Sequence, residues 1–332
     1  MAIWENFEGL HVPLQPPTPV RPRFSLTSDI LSYRKCPRQY RYFGNDGFVP
    51  ARSTQAFYGQ IIHQVLDRCH RLYRGLLGRP LGTLATDEDL AAFFLEVRNA
   101  LRSHGIRAAN DDVADQAEEV VKNFNAIEGP ALYPRVHDTE FRLERNREDY
   151  VLRGVVDVIA RQEDVTRIAG PLDPGTMEIW DYKGSKRIGR ATADWKNYEW
   201  QMLVYAELYR LRTGTFPARA IVYFMNELEG VSRQKGRPQS ATLDVNITDE
   251  RVSEALVRFD ADAHAIMKHR VDGNWPLPSA PPDTDTCNVC DVRYSCPTMN
   301  PPGTEPTYRI RNPFERPGRA GRRRAVAPGA IG

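Results

Sequence analysis

Asp157, Asp181 and Lys183 are the residues whose types and spacing could do chemistry. Asp157 lies in Arg153-Gly154-Val155-Val156-Asp157-Val158-Ile159-Ala160, and Asp181 lies in Met177-Glu178-Ile179-Trp180-Asp181-Tyr182-Lys183. Both runs are rich in β-branched and aromatic residues. The polar stretch joining them ends in Asp173-Pro174-Gly175, so they read as the strands of a hairpin. Alternation along a strand puts Asp181 and Lys183 on one face and Tyr182 on the other. The apolar surroundings predict burial for both carboxylates, and a buried, unpaired carboxylate costs several kcal/mol or takes up a proton. A divalent cation held by Asp157 and Asp181, with Lys183 beside an attacking water, meets that need. An Asp181–Lys183 pair on a solvated edge strand is the plainer reading of the same residues.

Two other groups of residues could join this chemistry. His63 lies on the polar face of a helix, four residues after Gly59 and four before Asp67, and Gly59 leaves room for a ligand to approach. A helical histidine taken alone is more often a surface or satisfied residue. Gln201 and Tyr205 stand i, i+4 on one side of a later helix, a spacing that alone carries no function. The cysteines say more: Cys287, Cys290 and Cys296 form C-x2-C-x5-C, with Cys36 far upstream. In a reducing cytoplasm such spacing favours a metal over disulfides. Cys69 falls on an apolar stripe and reads as core.

The elements that must position these residues follow from periodicity. Residues 1–24 are proline-rich and read as an extended arm. Residues 25–42 read as a helix that Pro37 interrupts, and Arg34, Lys35, Arg38 and Arg41 among its tyrosines suit phosphate contact or a solvated basic face. Strong amphipathic helices are predicted over 55–77, 87–103 and 111–127. From Val136 the period becomes two, and Glu140–Glu144 reads as a strand pairing with the hairpin. A helix over 192–213, a buried strand over 219–225, an edge strand over 241–247 and a helix from Thr248 to about His269 complete the core. The expected organisation is an arm (1–24), a helical region carrying Cys36 and His63 (25–135), a catalytic core (136–270), a cysteine clasp (271–300) and a disordered basic tail (301–332).

The whole chain excludes several classes. No run of about 18 apolar residues exists, so no membrane span is expected, and the N-terminus lacks the layout of a secretory signal. A cytoplasmic location is the expectation. No Gly-rich phosphate loop and no internal repeat occur, which argues against a motor or nucleotide-binding protein. The net charge is +2, yet residues 309–324 contribute +6 and the remainder −4. A nucleic-acid partner must therefore be gripped by a local groove or by the tail.

Taken in order, His63, Asp157, Asp181-Tyr182-Lys183 and Gln201-x3-Tyr205 resemble the PD-(D/E)XK nuclease superfamily in its RecB-like branch. That branch includes the nuclease domains of AddAB-type helicase–nucleases and the CRISPR-associated RecB-like exonucleases. Cys36 with Cys287-x2-Cys290-x5-Cys296, each end followed by proline (Pro37, Pro297), resembles its iron–sulfur members. The resemblance spans about Ser28 to Pro297. It implies an α/β, restriction-endonuclease-like core with a mixed β-sheet flanked by helices, plus a helical subdomain and a C-terminal cysteine clasp. It further implies Mg²⁺ or Mn²⁺ on Asp157, Asp181, His63 and the Tyr182 carbonyl, with imidazole favouring Mn²⁺. Lys183 would act on the attacking water or on transition-state charge, with Gln201 and Tyr205 as positioners, and Glu140 falls where the family often has an acidic residue. The four cysteines would hold a structural 4Fe-4S cluster, with Zn²⁺ as the alternative.

The implied function is a metal-dependent deoxyribonuclease, an exonuclease on single-stranded or duplex DNA ends in recombination, repair or mobile-element processing, with a helicase as a partner. A catalytically silent DNA-binding partner of a helicase and an endonuclease of the same fold are the alternatives. Two departures from the family pattern stand out. Lys183 is followed by Gly184-Ser185 in place of Thr-Gly, and 24 positions separate Asp157 from Asp181, so the hairpin connection must bulge.

Overall fold

The computed structural model describes residues 21–47, 54–163, 173–278, 286–287, 290–293 and 296. Most of the arm, all of the basic tail and much of the clasp therefore lie outside the described residues. Strand β1 (Arg23–Ser25) opens the described chain and leads through a π-helical turn (Leu26–Ile30) into the short helices α1 (Leu31–Lys35) and α2 (Pro37–Tyr40). The helix expected over 25–42 is thus broken at Cys36, which is extended (φ −159°, ψ 108°) because the following proline excludes helical backbone there. Next come α3 (Thr54–Tyr73), α4 (Asp87–Ser103), α5 (Asp111–Ile127) and a single turn, α6 (Gly129–Leu132). The sheet then follows with β2 (Val136–Asn146), β3 (Val151–Arg161) and β4 (Met177–Lys183). Helix α7 (Ala193–Thr213), strands β5 (Arg219–Phe224) and β6 (Thr242–Val245), and helix α8 (Asp249–Asp272) complete it.

The sheet is mixed and six-stranded, in the order β1-β3-β4-β5-β6, with β2 also on β3. Strands β3 and β4 form the expected antiparallel pair, and α7 is the crossover between parallel β4 and β5. Strand β1 is an addition: its three residues pair in parallel with Val151–Arg153. Three residues before a helix carry too little periodic signal to be read as a strand.

Two apolar cores lie on opposite faces of the sheet. Ile179, Val222 and Phe224 pack with α7 and α8, while Trp180, Tyr182 and Tyr223 pack with α3 and α5. Successive residues of β4 enter opposite cores, as its period of two requires. Helix α7 is buried over most of its surface, including every residue from Trp200 to Tyr209. Thr192 caps its start by accepting from Trp195 N–H, and Gly214 ends it at φ 92°, a left-handed backbone that suits glycine. The helix that carries Gln201 and Tyr205 is thereby fixed in rotation and register.

Candidate active site

The site sits where β3 and β4 separate. Their ladder runs from Arg161↔Met177 to Val158↔Trp180 and then stops, while β4 stays paired with β5 as far as Lys183↔Phe224. Beyond the fork, Tyr182 N–H donates to the Asp157 carboxylate at 2.6 Å in place of a ladder carbonyl. The same edge of β3 meets β1 again at Arg153. Gly154 lies between the two pairings because α7 presses there: a Cβ on it would come 2.8 Å from the Tyr205 ring and 3.0 Å from Leu208.

From the α7 side, Gln201 is a hub. Its Nε2 donates to Asp181 Oδ1 at 2.8 Å and to the Tyr205 hydroxyl at 2.9 Å, and its Oε1 accepts from Lys183 Nζ at 2.8 Å. Lys183 Nζ also stands 2.6 Å from Asp181 Oδ2, an ion pair in which that oxygen accepts no aligned hydrogen bond. The ammonium lies 4.8 Å from the centroid of the Tyr198 ring.

From the α3 side, His63 completes the group. Its Nδ1 is 3.3 Å from Asp157 Oδ1 and 3.7 Å from Glu140 Oε1, and its Nε2 is 3.2 Å from the Tyr182 carbonyl. A carbonyl only accepts, so Nε2 carries the hydrogen and Nδ1 is the nitrogen facing the carboxylates. Glu140 holds a positive φ of 49°, alone among the described non-glycine residues, and so carries backbone strain at the site. His63, Glu140 and Asp157 can each offer a ligand atom within 4.8 Å of the others. Gly59 has open space beside it and lines a cleft of about 690 Å³ with His63, Asp67, Arg68, Glu140 and Arg142.

The charges are set by one another. Burial pushes the Asp157 carboxyl up, but His63, the Tyr182 amide and Lys183 outweigh it and hold it below its ordinary value. Burial and the charge of Asp157 push Asp181 to about 6, against the pull of Lys183 and His63. Burial works against a charged His63, yet Asp157, Glu140 and Asp181 lift its pKa well above the ordinary value. Lys183 is likewise raised, because Asp181 and Asp157 overcome its burial. The donor set fits a hard divalent cation: two buried carboxylates and an imidazole nitrogen directed at one of them.

Every residue singled out around the hairpin therefore converges: His63, Glu140, Asp157, Asp181, Tyr182, Lys183, Gln201 and Tyr205. Gly154 and Tyr198 were not marked as site residues. Gly154 in the middle of an otherwise β-branched strand was the available signal. Glu178 of β4 is a third buried carboxylate of the hairpin, but Arg135, Arg219 and the Trp180 indole satisfy it, and it belongs to the scaffold.

The cysteines also approach one another. Burial raises the Cys36 thiol, Cys290 and Cys296 raise it further through their charge, and the amides of Gln39 and Arg38 oppose them. Cys290 N–H donates to the Cys287 carbonyl at 3.2 Å, and Cys296 N–H to the Arg293 carbonyl at 3.2 Å. All four are buried or half-buried, a donor set that suits a thiolate-bound metal. Cys69 is fully buried, on the α3 stripe, with its thiol pushed up to about 12 chiefly by burial.

This fold and site define a class. The family model of the PD-(D/E)XK nuclease superfamily matches residues 24–297, and the chain belongs to that superfamily. Its mixed sheet between helices is the restriction-endonuclease-like core of that class. Among solved structures, an Eubacterium rectale protein described provisionally as an exonuclease is similar at 15% identity, over 79% of this chain and 89% of that one, with a TM-score of 0.34. No curated protein matches the sequence. Among the described residues no helix is long and apolar enough to cross a membrane.

Proposed function

We propose that the chain is a metal-dependent deoxyribonuclease of RecB-like type that shortens DNA from its ends, in recombination, repair or mobile-element processing. One observation carries this reading: Asp157, Asp181 and Lys183 converge at the β3–β4 fork, with His63 from α3 facing Asp157 across it. Asp157, Asp181, His63 and the Tyr182 carbonyl are the proposed ligands of Mg²⁺ or Mn²⁺, with Glu140 at the rim; because the carbonyl accepts from His63 Nε2, on the far side of the ring from Nδ1, it joins the same ion only once the imidazole turns away from it. A bound cation lowers the pKa of water and offsets charge on the phosphate. Lys183, held by Asp181 and Gln201, directs its ammonium at the attacking water and the phosphate oxygens. Gln201 and Tyr205 position Lys183 and Asp181. Membership of the nuclease superfamily supports this assignment of roles.

The clasp belongs to the same proposal. Cys36, Cys287, Cys290 and Cys296 are the ligands of a structural 4Fe-4S cluster, with Zn²⁺ as the lesser alternative. Four thiolates holding residue 36 to residues 287–296 close a loop of about 250 residues, an entropic constraint that grows slowly with length.

The test is cleavage of end-labelled linear DNA and of covalently closed circles with Mg²⁺ or Mn²⁺, with Asp157→Ala as control. Shortening from ends that Asp157→Ala abolishes is the expected result. Nicking of circles would make the protein an endonuclease, and binding without cleavage would make it the silent partner of a helicase.

A further inference from the structure

A second pocket lies at the corner where the N-terminal end of α3 meets the C-terminal end of α4 and the start of α5. It encloses about 210 Å³ and is lined by Arg98, Arg102, Arg107, Phe57, Ile106 and Asp111, among others. Phe57 and Ile106 form a buried apolar floor. Asp111 is its one carboxylate, and Arg98 holds it at 2.8 Å. Arg102 and Arg107 are exposed and have no ion-pair partner among the described residues. Two unbalanced guanidinium groups beside an apolar floor make a site for an anionic ester.

The pocket lies beyond the N-terminal end of the active-site cleft, and the two share no lining residue. That cleft runs along α3 from Asp67 past His63 to Ala56, and Phe57, the next residue, lines the pocket. At 1.5 Å per residue, Ala56 lies about 10 Å along the helix axis from His63. The arginines therefore stand within a few nucleotides' reach of the site.

We infer that Arg102 and Arg107, with Arg98, form a phosphodiester-binding subsite that holds the nucleic-acid strand beyond the scissile bond. The inference rests on the nuclease reading and adds to it: affinity for a long strand resides partly in the helical region, away from the reacting atoms. The three arginines grip the backbone and read no base.

The test compares wild type with the double variants Arg102→Ala/Arg107→Ala and Arg102→Lys/Arg107→Lys. Each is given labelled single-stranded DNA in two lengths, one long and one too short to reach from His63 to the pocket. Losing two phosphate contacts flattens the salt dependence of long-strand affinity by about 1.4 in slope and weakens binding roughly 20-fold at ~0.1 M salt. The alanine variant is expected to show both changes with cleavage of the short strand intact, and the lysine variant to keep the wild-type slope. Unchanged affinity and slope with intact cleavage overturns the subsite and leaves the nuclease reading standing. A lysine variant as weak as the alanine one also overturns it, since packing rather than charge would be at issue. Wild-type protein that cuts neither strand overturns the nuclease reading itself.

Discussion

Replacing Lys183 by methionine keeps most of the apolar stem and removes the ammonium that faces Asp181 at 2.6 Å and Gln201 at 2.8 Å. Removing one directed donor from a preorganised site costs about 10²–10³ in rate, equivalent to roughly 3–4 kcal/mol. The folding penalty has a lower ceiling, set by Asp181. In the native site its carboxyl already titrates at about 6, through burial and the neighbouring Asp157. Without the ammonium it takes up a proton instead of remaining charged. Its folded pKa then rises further above the unfolded value, so the variant binds the extra proton when folded and loses stability as pH rises. Relative to wild type the loss is absent below about pH 6 and is capped at about 1.4 kcal/mol for each pH unit above that. At pH 7 the cap is therefore about 1.4 kcal/mol, too small to explain a 10²-fold loss of cleavage by unfolding. Single-turnover cleavage of labelled DNA with Mn²⁺, together with urea melts at pH 6 and 7, measures both quantities. Mn²⁺ binding should be retained, since a competing cation has been removed. Cleavage within about threefold of wild type would refute the role of Lys183, and a pH-independent folding loss above about 3 kcal/mol would refute the reasoning on Asp181.

Three further outcomes follow from other parts of the structure. His70 is fully buried against Tyr133, and burial, with Arg74, lowers its pKa to about 3. The unfolded chain binds the proton first, so stability is full above pH 6.5 and falls by about 1.4 kcal/mol per unit below it; melts at pH 5 should show His70→Leu losing roughly 2 kcal/mol less than wild type. Gly154→Ala sets a methyl 2.8 Å from the Tyr205 ring, so denaturation should show a loss of about 1–3 kcal/mol and cleavage should fall as Tyr205 shifts. Protein purified without air should be brown and carry iron bound by four thiolates; Cys290→Ser should lose colour and melt earlier, whereas a colourless, zinc-loaded wild type would favour Zn²⁺.

Much of the fold was legible because its signals are local. Helices α4 and α5 have the expected bounds because their apolar stripes are clean, and the structure adds N-caps at Thr86 and Asn110, whose side chains accept from Asp89 and Val113 N–H. The hairpin of β3 and β4 was legible from alternation, and so was the opposition of Tyr182 to Asp181 and Lys183. Strand β1 was not, because its pairing with Val151–Arg153 joins residues more than a hundred positions apart and leaves no period behind.

Residue chemistry and chain order fixed the candidates: two carboxylates, a lysine, a histidine, a Gln-x3-Tyr pair and four cysteines. Which of their atoms meet was decided only by tertiary structure. The parting of β3 from β4 frees the Tyr182 amide for Asp157, and the rotation of α7 lets Gln201 reach Asp181, Lys183 and Tyr205 together. Periodicity records which face of an element is buried, but not what lies across from it. Distances between elements come from packing two cores against one twisted sheet, and it is those distances that turn scattered polar residues into a single charged site.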